Sequence, residues 1–202
     1  MEPIKLYRHK LSGHSHRVEV LLSLLGLPST QIDVDVLKGE QKAPDFLRKN
    51  PLGQVPVIED GNVVLADSNA IMVYLATRYD ESRRWYPREA VPAAEVQRWL
   101  SVATGELRYG PGNLRLLALL KAPIDKGIAE RQSAQLMPVL ESALAQRAWL
   151  VGEHATIADV AIYTYSALAP EGGVSLEPYP SLRAWHRRFE ALPGFVPMPR
   201  VG

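Results

Sequence analysis

Pro56 constrains the fold of this chain more than any other residue. It lies between Val55 and Val57, where the hydrophobic pattern predicts the start of a strand. Because proline cannot donate a backbone hydrogen bond, it is tolerated only at the first residue of a strand, on an edge or at a bulge. If the Val55–Pro56 bond is cis, the N–H and C=O of Val55 face outward. An extended peptide can then pair with them as a short added strand.

A second candidate binding feature follows the predicted strand 63–65. Asp67 and Ser68 come directly before a helical pattern, and either side chain can cap the orphan N–H groups of a first helical turn. The same N–H groups, together with the positive end of the helix dipole, also favour a carboxylate ligand. A peptide clamp near a carboxylate site indicates a small peptide with charged ends. An ordinary helix cap is the alternative interpretation of these two residues.

Charge and composition exclude several classes of function. The 202 residues include 23 Lys and Arg against 22 Asp and Glu, and neither half is strongly basic, so we expect no nucleic-acid partner. No apolar run approaches the roughly 20 residues of a membrane span, and the first residues lack a secretory pattern. We therefore expect a cytoplasmic protein with no membrane partner. The chain has no cysteine, which excludes disulfides, thiolate metal sites and a cysteine nucleophile of its own.

The first 79 residues alternate between strand and helix patterns. The strand patterns cover 4–7, 31–36, 57–58 and 63–65, and the helical patterns cover 15–25, 44–49 and 68–79. The order β-α-β-α-β-β-α has one parallel crossover followed by a hairpin around Asp60 and Gly61. It predicts a thioredoxin-like α/β domain over residues 1–79.

Helical periodicity dominates the remainder of the chain. Residues 80–92 are charged and interrupted by prolines, which is typical of a linker. An all-helical domain is predicted over residues 93–202, with helices over 93–109, 113–120, 124–146, 156–168 and 181–192. We expect the sequence Gly110-Pro111-Gly112 to separate the first two of these helices. Thr156 and Asp159 have the spacing of a capping box, which indicates a structural role.

Three motifs of this chain resemble those of the cytosolic glutathione transferase family. They are residues 50–56, the pair 67–68 and residues 151–159, and residues 12–18 are similar to the first loop of the serine-type bacterial, theta and zeta branches. The resemblance covers essentially the whole chain. It implies a thioredoxin-like domain that binds glutathione as co-substrate, a helical domain that binds a small electrophile, no metal cofactor, and a homodimer.

The resemblance also implies which residues bind glutathione. Val55 would pair through its backbone with the cysteinyl residue, with Pro56 in the cis form. Ser68 and the N–H groups of its helix would hold the γ-glutamyl carboxylate, and Asp67 would lie near the γ-glutamyl ammonium group. Three side chains offer an ammonium or amide donor for the glycine carboxylate: Lys38, Gln41 and Gln54.

The activity of this family depends on a thiolate. A free thiol has a pKa of about 8.5, and a hydroxyl group that donates to the sulfur lowers this pKa. The resemblance places Ser12 in that role. Ser15 is the alternative, although its position favours a helix cap, and we interpret Tyr7 as a packing residue of the first strand. His14 is a candidate to line the sulfur site.

The substrate pocket is predicted from the first loop and the residues around Gly-Pro-Gly. Its candidates can form an apolar wall or bind a developing negative charge: Leu11, His14, Arg108, Tyr109, Asn113 and Arg115. Solvent-facing side chains are the competing interpretation of the helical residues. The histidines at positions 9, 14 and 16 diverge across a loop-to-helix boundary, so we expect no metal site.

The predicted reaction is attack of the glutathione thiolate on a small electrophilic substrate. Glutathione-dependent reduction of a disulfide or peroxide, or isomerisation, is an alternative. The zeta branch has Ser-Ser-Cys where this chain has Ser12, Gly13 and His14, which argues against isomerisation. A non-catalytic regulatory protein on the same scaffold is the third possibility. The intact clamp at Val55 and Pro56 argues against it.

Overall fold

The computed structural model describes residues 2–199, and they form two compact units. The first unit ends at Ser82 but also includes Pro193–Pro199, and the second runs from Arg83 to Leu192. This division differs from the predicted helical domain of residues 93–202, because the last described residues group with the first unit. Within residues 2–199, none of the helices combines the length and the apolar character that crossing a membrane requires.

The first unit, as far as it is described, contains a four-stranded mixed sheet and three α-helices. In chain order these are β1 (Ile4–Arg8), α1 (Gly13–Leu24), β2 (Ser29–Asp33), α2 (Pro44–Lys49), β3 (Val57–Asp60), β4 (Val63–Ala66) and α3 (Ser68–Tyr79). The strand order is β2-β1-β3-β4; β2 is parallel to β1, and the other two pairings are antiparallel. The predicted β-α-β-α-β-β-α order and the thioredoxin-like class are confirmed.

Burial on both faces of β1 explains why this strand is central. Ile4 and Leu6 are fully buried, whereas Lys5 between them is exposed. Successive side chains of a strand point to opposite faces. Tyr7 accordingly packs on the other side, against a cluster that includes Phe46 of α2 and Val57 of β3. The sheet therefore holds the end of β1, and with it the loop that leads to α1.

Two elements of this unit begin or end at other residues than predicted. Helix α1 begins at Gly13, so the prediction of Ser15 as its cap is wrong: Ser12 is the N-cap, with an extended backbone. Strand β2 covers Ser29–Asp33 and not residues 31–36. Val34 is buried in the cluster around Phe46 although it lies beyond the ladder. The alternating pattern in this segment thus reports burial and not strand pairing.

The second unit is helical over its described length. Its five α-helices are α4 (Ala90–Thr104), α5 (Asn113–Leu120), α6 (Lys126–Leu144), α7 (Ile157–Ala167) and α8 (Pro180–Glu190). A short 3-10 turn, Ala169–Gly172, follows α7. The all-helical class is confirmed. Helix α4 begins three residues before the predicted helix 93–109, inside the segment predicted as a linker.

The break between α4 and α5 differs from the prediction. Helix α4 ends at Thr104, where Gly105 leaves the helical conformation with φ −91° and ψ −105°. The Gly-Pro-Gly sequence does not end the helical conformation. It belongs to a π-helical turn, Arg108–Gly112, that leads directly into α5. A Cβ atom on Gly110 would lie 3.0 Å from the backbone nitrogen of Ser133. Glycine therefore allows this turn to approach α6 closely.

The predicted capping box of α7 is confirmed. The Thr156 hydroxyl accepts from the Ala158 N–H at 3.3 Å, and Asp159 Oδ2 accepts from the Thr156 N–H at 2.9 Å. The other oxygen of Asp159 accepts from the Leu150 N–H and from the Trp185 indole. Burial raises the pKa of this carboxyl to about 6, against the opposite effect of these hydrogen bonds. Asp159 thus ties the start of α7 to α8 and to the preceding loop.

Candidate functional site

The loop between β1 and α1 places the Ser12 hydroxyl at the positive end of α1. The Ser12 N–H donates to the carbonyl of His9 at 2.9 Å, and the Ser12 carbonyl accepts from the His16 N–H at 3.0 Å. Its Oγ accepts from the Ser15 N–H at 3.3 Å. Because Oγ is the acceptor in this cap, the cap does not use the hydroxyl proton. The half-buried hydroxyl can therefore donate to an anion at the helix start.

The two rival side chains are packed within the first unit. Ser15 is only 1 % exposed, and its Oγ accepts from the His9 N–H at 3.3 Å. The Tyr7 ring packs edge-on against Phe46 with ring centroids 6.3 Å apart, and Lys49 Nζ lies 5.1 Å from the Tyr7 centroid. Both side chains are thus engaged within the sheet and the first loop. This arrangement favours Ser12 over Ser15 and Tyr7.

The segment before β3 is folded around the Asn50 side chain. The Asn50 amide donates to the Gln54 carbonyl at 2.8 Å and accepts from the Leu52 N–H at 3.1 Å. The Val55–Pro56 bond is cis, as predicted. Within residues 2–199 the ladders of β3 start at Val57, so Val55 belongs to neither of them. The backbone of Val55 is therefore placed where an extended peptide could pair with it.

Asp67 caps α3 and leaves one carboxylate oxygen for another group. Its Oδ1 accepts from the N–H groups of Asn69 and Ala70, both at 2.9 Å. The backbone of Asp67 has φ 72°, a conformation that residues other than glycine seldom adopt. The side chain is exposed, and Oδ2 takes no part in the cap. An ammonium group can therefore pair with Asp67 without disturbing the helix start.

Ser68 is the first residue of α3 and is buried beneath the surface of the first unit. Its side chain is 2 % exposed, and its Oγ lies 3.1 Å from Nδ1 of His14. The contact connects the beginning of α1 with the beginning of α3. Sequence spacing does not reveal it, because the two residues are 54 positions apart.

The three predicted partners of a glycine carboxylate differ in availability. Lys38 is 79 % exposed and pairs with Asp35, Nζ to Oδ2, at 3.2 Å. The Gln41 amide nitrogen donates to the Val36 carbonyl at 3.2 Å, so this donor is already used. Gln54 is exposed beside Val55. Of the three, only Gln54 lies in the segment that forms the clamp.

Lys42 is a further candidate that the sequence reasoning missed. Its Nζ donates to the Leu52 carbonyl at 3.0 Å, next to the clamp segment. Gly53 has φ 57°, and a Cβ atom there would lie 2.8 Å from Lys42 Nζ. Lys42 follows Gln41 in a 3-10 turn, Glu40–Lys42. Neighbouring residues of such a turn point in different directions, and only the folded turn shows which of them reaches the loop.

The candidates in the second unit fall into two groups. Arg108 donates to the Asn113 side chain, its guanidinium carbon lies 5.8 Å from the Tyr109 ring centroid, and Tyr109 is 54 % exposed. Arg115 does not fit the predicted pocket role, because it is 1 % exposed and its Nε donates to Glu171 Oε2 at 2.6 Å. Its position on α5 turns it toward the 3-10 turn after α7. The ion pair is structural.

Comparison with known proteins matches both parts of the chain. The family model of the glutathione S-transferase N-terminal domain matches residues 2–77, and that of the C-terminal domain matches residues 120–193. Glutathione S-transferase 3 of Zea mays is 33 % identical, with 98 % of this chain and 97 % of the relative covered. The chain belongs to the glutathione S-transferase family. Glutathione S-transferase theta-2 of Mus musculus is 32 % identical, with 95 % and 82 % covered.

A solved structure supports the same assignment. A glutathione transferase homologue of Drosophila mojavensis, with bound glutathione, superposes with a TM-score of 0.85 at 28 % identity. The match covers 96 % of this chain and 90 % of that one. Glutathione conjugation as a general activity, and glutathione as the shared ligand, follow from membership of this family.

Other polar groups of this transferase serve its fold. Asp60 Oδ2 accepts from the hydroxyl groups of Tyr74 at 2.7 Å and Tyr79 at 2.6 Å. Burial, followed by the bond to Asp60, raises the pKa of Tyr74 to about 12. These tyrosines lie toward the end of α3, whereas Asp67 and Ser68 lie at its start. Among residues 2–199, no three His, Asp or Glu side chains are grouped as metal ligands.

Proposed function

We propose that this transferase holds glutathione as a thiolate for attack on a small electrophilic substrate, with Ser12 as the donor to the sulfur. The observation that carries the proposal is the cap geometry of Ser12. Its oxygen accepts from the Ser15 N–H, and its proton can be directed outward. The start of α1 adds a positive dipole end at the same place.

The pKa of the thiol decides how much this donor contributes. At pH 7 a thiol with a pKa of about 8.5 is only a few per cent thiolate. A lowering by about two units makes most of the bound thiol anionic and corresponds to about 3 kcal/mol. The thiol proton passes to solvent. The sulfur lone pair then forms the bond to carbon, while the leaving group or the opened double bond takes up the displaced electron pair.

The glutathione backbone is proposed to lie along the start of β3. Val55 pairs with the cysteinyl residue through its N–H and C=O. Asp67 and Ser68 bind the γ-glutamyl end, and Gln54 and Lys42 bind the glycine carboxylate. Support comes from the free carboxylate oxygen of Asp67 and from the position of Lys42 at the Leu52 carbonyl. Lys38 and Gln41 are weaker candidates, because their donor groups bond to Asp35 and Val36, whereas Lys42 bonds to Leu52 next to the clamp segment.

The proposed substrate pocket draws on side chains of both units, and the proposed assembly on the family. Leu11 and His14 are candidates to line the sulfur site in the first unit. Arg108 and Asn113, with the exposed Tyr109 ring, offer the second unit a cation and an aromatic surface for substrate contact. A homodimer in the cytoplasm is proposed from membership of the family.

Calorimetry of glutathione binding, with thiolate absorbance followed across pH, tests the role of Ser12. We expect wild-type protein to bind glutathione with a lowered thiol pKa. Ser12→Ala should retain binding but lose most of this lowering and of the turnover. Ser12→Thr, which keeps both the cap and the hydroxyl donor, is the matched control. It should keep the lowered thiol pKa and the turnover. The melting temperature separates loss of the cap from loss of the donor.

The other outcomes of this experiment assign other functions. An unchanged pH profile in Ser12→Ala contradicts the role of Ser12. Binding of glutathione without a pKa shift in the wild type favours reductase or isomerase chemistry. Absence of glutathione binding at millimolar concentration favours a non-catalytic regulatory protein on the same scaffold.

A further inference from the structure

His9 lies at the junction between β1 and the loop that carries Ser12. Its N–H donates to Ser15 Oγ at 3.3 Å, and its carbonyl accepts from the Ser12 N–H at 2.9 Å. Its ring Nδ1 lies 3.2 Å from the carbonyl oxygen of Val34, 25 positions further along the chain. The backbone of this residue thus shapes the loop, and its side chain attaches the loop to the segment after β2.

The His9 ring continues the contact between β1 and β2 beyond their last ladder pair. That pair is Arg8 and Asp33, and the Val34 N–H still donates to the Arg8 carbonyl at 2.7 Å. The chain then turns toward α1, and the His9 ring, instead of a backbone group, meets the Val34 carbonyl. Because a carbonyl oxygen only accepts, Nδ1 carries the proton and donates in this contact.

Val34 connects this contact with the clamp for glutathione. It is buried in the same hydrophobic cluster as Phe46 of α2, and the Val55 side chain packs against this cluster. Val55 is the residue that is proposed to hold the cysteinyl part of glutathione. Close-packed interiors yield little, so a group attached to the cluster keeps its place relative to Val55. Through the His9 ring, the loop that carries Ser12 is such a group.

We propose that His9 is a positioning residue, which holds the Ser12 hydroxyl at a fixed place relative to Val55. This role rests on the proposed function, in which Ser12 donates to the glutathione sulfur. A hydrogen bond weakens steeply when its distance and angle depart from their optimum. The donor therefore stabilises the thiolate fully only if its separation from the bound cysteinyl residue is kept. Without the bond from His9 to Val34, the loop loses its side-chain attachment to the cluster.

Replacing His9 by a ring without a donor tests this role. In His9→Phe, the thiol pKa of bound glutathione should rise by about half a unit to one unit, with about threefold to tenfold less thiolate below this pKa. The effect is limited to this size because only one neutral hydrogen bond is lost. Thiolate absorbance across pH measures it. S-methylglutathione, which has no thiol, should bind to His9→Phe as tightly as to the wild type.

Turnover with chlorodinitrobenzene at saturating glutathione gives a second readout. Below the thiol pKa, kcat of His9→Phe should fall by the same factor, because less of the bound glutathione is thiolate. Above the thiol pKa, the two proteins should have similar kcat values, since the thiol is ionised in both. A loss of stability alone would not produce this pH dependence, and equal loss of kcat at every pH overturns the proposed role.

Matched variants separate the hydrogen bond from other effects of the substitution. His9→Asn has an amide nitrogen at the position of Nδ1 and should keep the thiol pKa of the wild type. Lys10→Gln removes an exposed ion pair of the same loop, Nζ to Oδ2 of Asp33 at 3.1 Å, and should also keep it. A thiol pKa that rises in either variant as much as in His9→Phe overturns the role of His9. If His9→Phe fails to fold, His9→Leu replaces it, because leucine has the shape of asparagine without the donor.

A double-mutant cycle shows whether His9 acts through Ser12. Ser12→Ala and the double variant Ser12→Ala/His9→Phe should have the same thiol pKa, because the donor that His9 positions is absent from both. A further rise in the double variant overturns the proposed role. A wild-type thiol pKa in Ser12→Ala overturns the proposed function and the role of His9 with it. A thiol pKa that rises in Ser12→Ala but not in His9→Phe overturns the role of His9 alone.

Discussion

His186 is a buried titratable residue whose protonation is coupled to folding. Its Nε2 lies 2.9 Å from Ser166 Oγ in the core of the second unit. Burial, followed by the charge of Arg187, lowers the pKa of His186 to about 3. Asp159 has the opposite behaviour, because burial raises the pKa of its carboxyl to about 6. The two residues therefore respond to acid in opposite directions.

Whether each residue adds or removes stability on acidification depends on which state, native or unfolded, binds the proton more tightly. Below a pH of about 6.5 the unfolded chain protonates His186 and the native state does not, so this residue costs stability as the pH falls toward about 3. Between about pH 4 and about pH 6 the native state keeps the proton of Asp159 and the unfolded chain releases it. Asp159 consequently favours folding more at the acid end of this range. The two effects largely cancel there.

Replacing His186 should reveal the pH dependence of stability that Asp159 causes and that His186 offsets in the wild type. In His186→Phe, the free energy of unfolding relative to the wild type should increase by about 1.4 kcal/mol per pH unit on acidification from about pH 6 to about pH 4. Urea unfolding at several pH values measures it. His186→Gln, also uncharged, is the second variant. Parallel stability curves for wild type and both variants would show that the histidine does not titrate between the folded and unfolded states.

At the scale of the element, caps decide where the functional helices begin. Helix α1 starts at Gly13 because Ser12 caps it, and this position brings the Ser12 hydroxyl to the helix end. The pattern of apolar residues from Val18 to Leu25 located the helix but not its first turn. Within a first turn, several residues can cap, and the choice depends on the hydrogen bonds of the preceding loop. For α3 the predicted range, residues 68–79, is confirmed, and of the two possible caps Asp67 is the one that is used.

The cap of α7 should be structural and not catalytic. Thr156→Ala should lower the free energy of unfolding by about 0.5–2 kcal/mol, because the first turn loses a side-chain acceptor. Thr156→Ser keeps the hydroxyl and should stay close to the wild type. Chemical denaturation and turnover would be measured on the same samples. Loss of turnover in Thr156→Ala without loss of stability would contradict the structural role.

At the scale of the whole molecule, the last described residues of the chain belong to the first unit. Residues Pro193–Pro199 group with that unit although they follow the last helix. The His16 ring donates from Nε2 to the Val196 carbonyl at 2.7 Å, and the Phe195 ring packs edge-on against it at 6.5 Å. His16 lies in α1, four residues after Ser12. This segment therefore supports the helix that carries the candidate catalytic serine.

The terminal segment should contribute to the stability of the first unit. Phe195→Ala should reduce the free energy of unfolding by about 1–2 kcal/mol, since a half-buried aromatic side chain loses less than a fully buried one. Pro197→Ala, at an exposed position of the same segment, is the matched control. Thermal unfolding, with glutathione binding as a second readout, measures the effect. Equal melting temperatures for the two variants would assign the segment no such role.

The sequence by itself determined the order of the elements and the class of ligand. These predictions depend on local signals: the hydrophobic period, the positions of glycine and proline, and the motifs around Pro56 and Asp67. Such signals constrain neighbouring residues of the chain, so they can be interpreted without the fold. Only the tertiary structure decided which polar atoms meet. Lys42 at the Leu52 carbonyl and His14 at Ser68 depend on how distant segments pack. The burial of Arg115 against Glu171 is decided in the same way, because the burial of a charged residue depends on a partner that local pattern does not specify.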